Sequence, residues 1–537
     1  MKKKYNYYGN KLAVAVAAIL LNAACTGFFE DYNTNQHEAT EQMLSYDNLK
    51  TGAFFTQMQR NIVVFNEGMG DDGNLSSTYQ VGQGHTSDIF AGYYTITGTW
   101  ITGNLHNGCY VFVDDWREQL FTGGFVKVMP AWASIVKTAN EQGLSEIAAL
   151  ATVVKVEAMH RVADTYGPIP YCNFGSGVLQ NNYDGLDEVY AKFFEELDDA
   201  IDVLTDFVSG NPSAKIMAPY DVIYEGDAEK WVRFANTLRL RLAMRVVSAN
   251  ETLARTEAQK SLDNPIGFIT TKNERASLKH ALINYYHPLE EIRNFNAGEA
   301  RMSAAMDAYM NGYQDPRRAA YFLPAASDGQ YHGVRLGVTP TYVPNYVGAG
   351  ISNLNFDRTS SEIVWMTAAE SHFLRAEAAL RWNIGGSAQS HYEAGITASF
   401  DETNAGDPTA YIASTNQPAA FTDAVGSNNQ AQPSAITPKW DAGASFDANL
   451  ERIITQKWIA LYPDGPEGWA EFRRTGFPKL FPVVTNGSGG TVNTEKQARR
   501  LPYPLSEYNN NAAGVQTGIA KLGGADTGGT PLWWDKR

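Results

Sequence analysis

Cysteine is scarce in this chain: Cys25, Cys109 and Cys172 are the only three among 537 residues. So few thiols cannot form the disulfide framework that stabilises small secreted domains. The fold must therefore rely on a hydrophobic core, which a chain of this length can bury. Cys109 and Cys172 can pair in an oxidising compartment or remain two buried thiols, and the sequence leaves both alternatives open.

Positive charge and long apolar segments are also in short supply. Lysine and arginine number 43 against 58 aspartates and glutamates, which gives a formal net charge of −15. So acidic a chain is repelled by nucleic acid, and no nucleic-acid partner is expected. After the N-terminal leader, no stretch approaches the roughly 18 consecutive apolar residues of a membrane-spanning helix.

Motifs of the common catalytic classes are missing: HExxH, GxSxG and GxxxxGK[ST] do not occur. A GxGxxG occurs at 68–73, but Asp71 and Asp72 would repel a pyrophosphate and no amphipathic helix follows, so we interpret it as a loop. The nine histidines form no ligand-spaced pair. We expect neither a cofactor nor a metal, although a structural calcium ion at 71–74 stays open.

The N-terminus carries an export signal. Lys2–Lys4 precede the apolar stretch Leu12–Leu21, and small residues then lead into Cys25. Basic, apolar and small-residue segments in this order indicate a secretory signal peptide. The site resembles the cleavage site of bacterial lipoproteins, which are acylated on the cysteine. We predict a signal peptide at 1–24 and a lipidated Cys25 that begins a tether over 25–45; an ordinary secretory cleavage is the alternative.

Helical periodicity dominates the remaining sequence. The segments predicted as helices are 46–60, 126–139, 144–166, 186–207, 228–248, 361–382, 387–400, 450–462 and 469–474. In the clearest of them Asp227 can cap the start, while Arg239, Arg241 and Arg245 flank an apolar stripe. Loop-rich insertions interrupt the helices at about 67–107, 279–357 and 401–440. Ordered loops of this length are usually functional.

Amphipathic helices joined by short turns, without alternating strands between them, predict a mainly all-α fold. Stacked helix pairs of the tetratricopeptide type would form its scaffold, and the long insertions would form its ligand surface. The strict 34-residue repeat signature is not visible, which divergent repeats would explain.

Eight segments, in order, resemble the SusD/RagB family of outer-membrane nutrient-binding lipoproteins, in particular its SusD-like branch. They are Ala163–Tyr171, Trp231–Arg245, Asp315–Arg318, Met366–Ala378, Gln456–Tyr462, Trp469–Gly476, Arg500–Pro504 and Trp533–Asp535. The resemblance spans nearly the whole chain after the leader and implies one SusD-like helical domain over 46–537.

The resemblance also implies a function. Members sit lipid-anchored on the exterior of the outer membrane, as a lid over a SusC-like TonB-dependent transporter. They bind glycans or, in the RagB branch, peptides, and do no chemistry. The motif residues fall on helices and their ends, so we interpret as scaffold Asp164, Tyr166, Trp231, Arg239 and Arg473.

Aromatic residues are abundant, with 28 Tyr, 25 Phe and 11 Trp. A flat ring stacks on the apolar face of a sugar or a peptide side chain, while an amide binds its polar groups. From their positions in the first two insertions we predict ligand contacts at Tyr93, Tyr94, Trp100, Asn104, Tyr331 and Tyr342. The alternative for each ring is that it pins its loop to the scaffold.

We favour nutrient capture over two other hypotheses. A surface-anchored glycan hydrolase would need two carboxylates facing each other across a cleft, and distant loops could supply them. A structural or protein-interaction lipoprotein would present a smooth helical groove without an aromatic-lined pocket. Neither the identity of the nutrient nor the choice between glycan and peptide is encoded in the sequence features above.

Overall fold

Helices provide most of the secondary structure, which confirms the mainly all-α prediction. The computed structural model describes residues 49–63, 77–97, 106–177, 180–295, 298–338 and 346–537. Phe54–Arg537 form one compact unit, and Met1–Ala53 is a separate unit of which residues 49–53 are described.

The α-helices are numbered here in chain order. They are α1 Leu49–Arg60, α2 Asp114–Thr122, α3 Met129–Gln142, α4 Ser145–Tyr166, α5 Leu186–Gly210, α6 Ala228–Val246, α7 Glu251–Asp263, α8 Pro288–Asn294, α9 Ala304–Gly312, α10 Arg318–Tyr321, α11 Ala368–Trp382, α12 Ala388–Thr403, α13 Thr409–Ile412, α14 Phe446–Leu461, α15 Gly465–Thr475, α16 Leu505–Asn510 and α17 Ala512–Leu522.

Successive helices pack on one another in a layered scaffold. Helices α3 to α7 form a continuous series in which each packs against the next, and α11 packs against both α12 and α14. Short connections make this possible: Gly143, with φ +71°, ends α3 two residues before α4 begins. Stacked helix pairs with short turns are typical of tetratricopeptide-like scaffolds.

Helix α6 illustrates how the sequence specifies a scaffold helix. The side chain of Asp227 accepts a hydrogen bond from the Lys230 N–H at 3.1 Å, which is the predicted cap. Trp231, Phe234 and Leu238 are fully buried on the predicted apolar stripe. The five motif residues interpreted as scaffold are all buried in the structure.

Six short strands occur in the described residues, mostly inside the predicted insertions. They are β1 Tyr94–Ile96, β2 Ala276–Leu278, β3 Ala300–Met302, β4 Phe322–Leu323, β5 Asn353–Leu354 and β6 Ile363–Met366. Four of them form an antiparallel sheet in the order β1-β3-β5-β4, and β2 pairs with β6. The larger sheet therefore joins the first insertion, which contains β1, to the second.

Two predicted segments differ in the structure. The helix expected over 361–382 begins only at Ala368, because Ile363–Met366 pairs as β6 and the Thr367 side chain caps the Glu370 N–H. In the first insertion, Gln80–Asp88 forms π-helical turns with a kink at His85; the segment is called the π-helix below. Its wider turn does not give the 3.6-residue period used for prediction, which is why the segment was expected to be a loop.

Arg241 lies at the centre of an ion-pair network inside the core. Its guanidinium donates to both carboxylate oxygens of Glu370, at 2.7 and 2.6 Å, and lies 3.3 Å from Glu157 Oε2. All three side chains are fully buried. These contacts join α6 to α4 and α11. Arg241, which was predicted to flank the apolar stripe, therefore lies within the core.

The network extends into α14 and α15. Arg245 pairs with Glu467 and lies 3.1 Å from Asp164 Oδ2, and Lys457 Nζ lies 3.4 Å from Glu467 Oε1. Burial alone would raise the pKa of Glu467, but Arg245, Arg241 and Lys457 hold it well below its usual value. The carboxylate is therefore ionised and its charge is compensated inside the protein.

We expect Arg241→Met to lower the free energy of unfolding by about 3–5 kcal/mol, because the carboxylates around it lose their countercharge without regaining water. Arg233→Met on the same helix is the control: its guanidinium is partly exposed and contacts Glu229, Glu274 and the Phe268 carbonyl, and surface ion pairs of this kind contribute about 0–1 kcal/mol each. Urea unfolding of the three proteins measures both effects. Equal losses in the two variants would contradict a structural role for the network.

Candidate functional site

Three of the six predicted ligand residues, Trp100, Asn104 and Tyr342, lie outside the described residues. Tyr93 and Tyr94 are buried in the core, with 0% and 1% of their surface exposed. A ring with no exposed face cannot stack on a ligand, so the structure corrects the prediction for these two residues.

Tyr94 is held by a buried carboxyl group. The hydroxyls of Tyr79 and Tyr94 donate to Asp88 Oδ2 at 2.8 and 3.1 Å, and the Gln83 amide donates to Oδ1 at 3.2 Å. Gly84 permits the approach, since a Cβ there would lie 2.6 Å from the Tyr94 hydroxyl oxygen. Tyr94 thus anchors β1 to the π-helix.

Tyr93 anchors the same loop to α14. Its ring stacks on Trp458, with 5.6 Å between the centroids, and its hydroxyl donates to the Trp458 carbonyl at 2.9 Å. The sequence did contain a signal for this burial: Ile89–Ala91, shortly before, and Ile96 make a mostly apolar run that is typical of a buried strand. The alternative, that the rings pin their loop to the scaffold, therefore holds here.

Tyr331 is half-buried and stays a candidate ligand contact. The guanidinium of Arg318 lies over its ring, 4.5 Å from the centroid. Arg318 also donates to Asn311 Oδ1 at 2.5 Å, and the Asn311 amide donates to the Tyr331 carbonyl at 2.8 Å. The ring is therefore fixed in orientation before any ligand arrives.

Hydrogen bonds hold the chain that leads into residues 98–105. Thr97, which follows β1, donates its N–H and its hydroxyl to the Glu299 carbonyl, at 2.6 and 3.0 Å. The Glu299 carboxylate lies 3.2 Å from His85 Nε2 and accepts a hydrogen bond from the Gln80 amide. The entry to residues 98–105 is thus tied to the entry of β3 and to the π-helix.

The flanks of 98–105 and 339–345 also contact each other. A Cβ added at Gly337 would lie 3.1 Å from the Gly108 carbonyl oxygen, so these two backbones touch. Beyond 345, the Tyr346 hydroxyl donates to Asp423 Oδ2 at 2.6 Å. Asp423 belongs to the third insertion, and contacts between described residues therefore join all three insertions.

Cys109 and His106 lie close together but are not arranged as a nucleophile and its base. Cys109 Sγ lies 3.4 Å from His106 Nε2, but His106 Nδ1 accepts a hydrogen bond from Gly108, which places the ring proton on Nε2. Burial raises the pKa of the Cys109 thiol to about 11 and lowers that of His106 to about 4. The pair is a neutral structural contact. Cys109 and Cys172 are free thiols, the first buried and the second exposed.

Over the described ranges, no group of three or more His, Cys, Asp or Glu side chains is arranged to hold a metal ion. Residues 71–74, where a calcium ion was left open, lie outside those ranges. None of the described helices is both long enough and apolar enough to cross a membrane.

Known proteins are similar to this chain in both sequence and fold. The SusD-like family, described as Susd and RagB outer membrane lipoprotein, matches residues 31–535. A chitin-binding SusD homologue from Flavobacterium johnsoniae is 40% identical, with a TM-score of 0.84 over 90% of this chain and 98% of its own. No curated sequence matches the chain.

Two further structures are SusD homologues from Bacteroides species. The one from Bacteroides uniformis is 34% identical, with a TM-score of 0.85 over 91% of this chain and 100% of its own. The one from Bacteroides vulgatus is also 34% identical, with a TM-score of 0.83 over 91% and 99%.

The protein is a helix-pair scaffold that carries long, mutually anchored insertions. With the family match over nearly its full length, the chain belongs to the SusD/RagB family of outer-membrane lipoproteins.

Asp88 makes a testable contribution to stability. Burial raises its pKa from 3.8 to about 8, although three donors oppose the shift. The contribution of Asp88 to the free energy of unfolding is therefore fully present below pH 3.8 and is lost as pH rises through about 8. We expect Asp88→Asn, measured against wild type by urea unfolding, to gain at least about 1 kcal/mol in relative stability between about pH 5 and pH 8.5. The exposed control Asp199→Asn should show no such gain; a parallel response of both variants would contradict the assignment.

Proposed function

We propose that this protein binds a glycan at the bacterial cell surface and delivers it, chemically unchanged, to a TonB-dependent transporter of the outer membrane. The observation that carries the proposal is the 40% identity to a chitin-binding SusD homologue over 98% of that protein. Chitin oligosaccharides are therefore the first ligands to test, ahead of other glycans and of peptides.

The arrangement of the insertions supports a binding role. Trp100 and Asn104 follow β1, and Tyr342 belongs to the segment whose flank touches Gly108. Tyr331 adds a fixed ring in the second insertion. We retain these four as proposed ligand contacts, because aromatic faces and an amide are the groups that bind sugar rings.

Cell-surface orientation and the SusC-like transporter partner belong to the proposal. The signal peptide and Cys25 provide a lipid anchor, and the family consists of outer-membrane lipoproteins. The proposal requires no cofactor, since capture and transfer of a glycan need contacts rather than bond changes.

Trp100→Ala should weaken binding of chitin hexasaccharide by about threefold to tenfold, the effect of losing one aromatic contact worth about 0.5–1.5 kcal/mol. Calorimetric titration of residues 26–537 measures the affinity, and chromatography of the same samples measures product release. Phe446→Ala, which removes an exposed ring elsewhere, is the matched control and should bind as wild type does. Release of shorter products would contradict a binding-only function.

Cys25→Ala should free the protein from the membrane, because a single cysteine carries the proposed lipid. In cells, the variant should move from the membrane fraction to the soluble periplasmic or secreted fraction, and mass spectrometry should find no acyl groups on it. Cys172→Ala, with an exposed thiol in the folded domain, is the control and should remain anchored. Continued anchoring of Cys25→Ala would show that another segment holds the protein at the membrane.

A further inference from the structure

A cavity of about 380 Å³ lies at the end of the four-stranded sheet where β4 begins and β5 ends. Tyr321 immediately precedes β4 and Phe356 closely follows β5, so the sheet itself places one wall. Strand β6 and the end of α12 provide other walls, and the exposed Ser360 and Asn404 lie at the rim. The volume is within the range of small-molecule sites, roughly 300–1,000 Å³.

One wall of the cavity is aromatic. The rings of Tyr321 and Tyr462 lie 4.6 Å apart, and Phe356 lies 5.9 Å from Tyr462. His287 stacks on Phe356 from outside the cavity lining, with 4.7 Å between centroids and 13° between planes. The rings are therefore held in place by their neighbours, which is the condition for an aromatic surface that binds without reorganisation.

The polar wall is nearly balanced in charge. Arg275 donates to Glu402 Oε2 at 2.9 Å and to Glu362 Oε2 at 2.7 Å. Lys272, which donates to Asn404 Oδ1 at 3.3 Å, lies near enough to lower the pKa of Glu402, though burial has the larger effect and raises it. Arg275 and Lys272 together offset the charges of Glu402 and Glu362, which leaves little net charge to attract an ion, so a neutral polar ligand fits better than a charged one.

Two residues of the lining each carry a buried polar atom without a hydrogen-bond partner among the described residues. Glu402 Oε1 accepts no hydrogen bond, and the indole N–H of Trp365 donates none. Buried polar groups are nearly always paired, and each exception calls for an explanation. A ligand that both donates and accepts hydrogen bonds would satisfy the two groups while it packs against the aromatic wall.

We infer that this cavity is a second binding site, which takes one or two sugar units of a neutral glycan through Glu402, Trp365 and the Tyr321–Phe356–Tyr462 wall. Hydroxyl and acetamido groups both donate and accept hydrogen bonds, and sugar rings present an apolar face. The ligand class rests on the proposed glycan-binding function; the existence of the site rests on the cavity.

The register of the sheet fixes where the cavity lies relative to the end of β1. Ile96 pairs with Ala300, and Leu354 pairs with Phe322, so β1 ends at the same end of the sheet as the cavity. Strands β1 and β4 are the two edges, three strand spacings of about 4.8 Å apart. A glycan of several units can therefore reach both edges, whereas a disaccharide occupies one site at a time.

The test is calorimetric titration of residues 26–537 with chitin disaccharide and hexasaccharide. Maltohexaose and a mixed tripeptide serve as additional probes. Ser360→Trp places a large ring at the cavity rim, and Glu402→Ala removes the unpaired acceptor while Arg275 keeps Glu362. Ser209→Trp, at the exposed end of α5, is the control for the added ring. Thermal unfolding verifies that every variant folds.

We expect both cavity variants to remove one disaccharide site from the binding stoichiometry and to weaken hexasaccharide binding by roughly tenfold, while Ser209→Trp changes neither. Trp100→Ala should leave the cavity site intact. Glycan binding unaffected by the two cavity variants would overturn this inference and leave the proposed function standing. Binding of the tripeptide in the cavity without any glycan would overturn the ligand class, and absence of any glycan binding to wild type would overturn both proposals.

Discussion

Charged side chains from α4, α6, α11, α14 and α15 meet inside the core without access to water. Each such charge is costly unless an opposite charge and hydrogen bonds compensate it, so Arg241, Arg245 and Arg474 must find their carboxylates in the folded chain. Bidentate pairing also fixes orientation, because a guanidinium fits a carboxylate in few ways. The network therefore sets the mutual positions of five helices, and the insertions are attached to a scaffold that has little freedom to shift.

Most residues of this network come from segments that carry the family resemblance, including Trp231–Arg245, Met366–Ala378 and Trp469–Gly476, whereas Glu157 and Glu467 lie outside those segments. Sequence periodicity located the long scaffold helices, since 3.6-residue spacing reports burial of apolar faces, but it did not predict α2, α7, α9 or α17. It placed the arginines of α6 beside the core rather than in it, because a pattern of apolar positions carries no information about partners on distant helices. The short strands were missed for a similar reason: two to four residues are too few to show alternation, and their pairing partners lie far along the chain.

Prediction of the ligand residues was less successful than prediction of the scaffold. Composition and loop position identify aromatic residues suited to binding, but they cannot distinguish a ring that faces a ligand from one that anchors its loop. Tyr93 and Tyr94 anchor their loop, through hydrogen bonds to Trp458 and Asp88. The aromatic wall of the cavity was not predicted. Tyr321 and Phe356 form it only because β4 and β5 bring them together with Tyr462, which follows α14.

The contacts of Trp534 and Asp535 bear on how the protein folds. The indole of Trp534 donates to Asp164 Oδ1 at 2.9 Å, and Asp535 pairs with Arg499. Residues near the very end of the chain thus complete contacts with a helix begun at Ser145. Such long-range contacts form slowly. The packing of α4 therefore depends on a residue 370 positions away along the chain, so this helix reaches its final surroundings only after Trp534 has joined it.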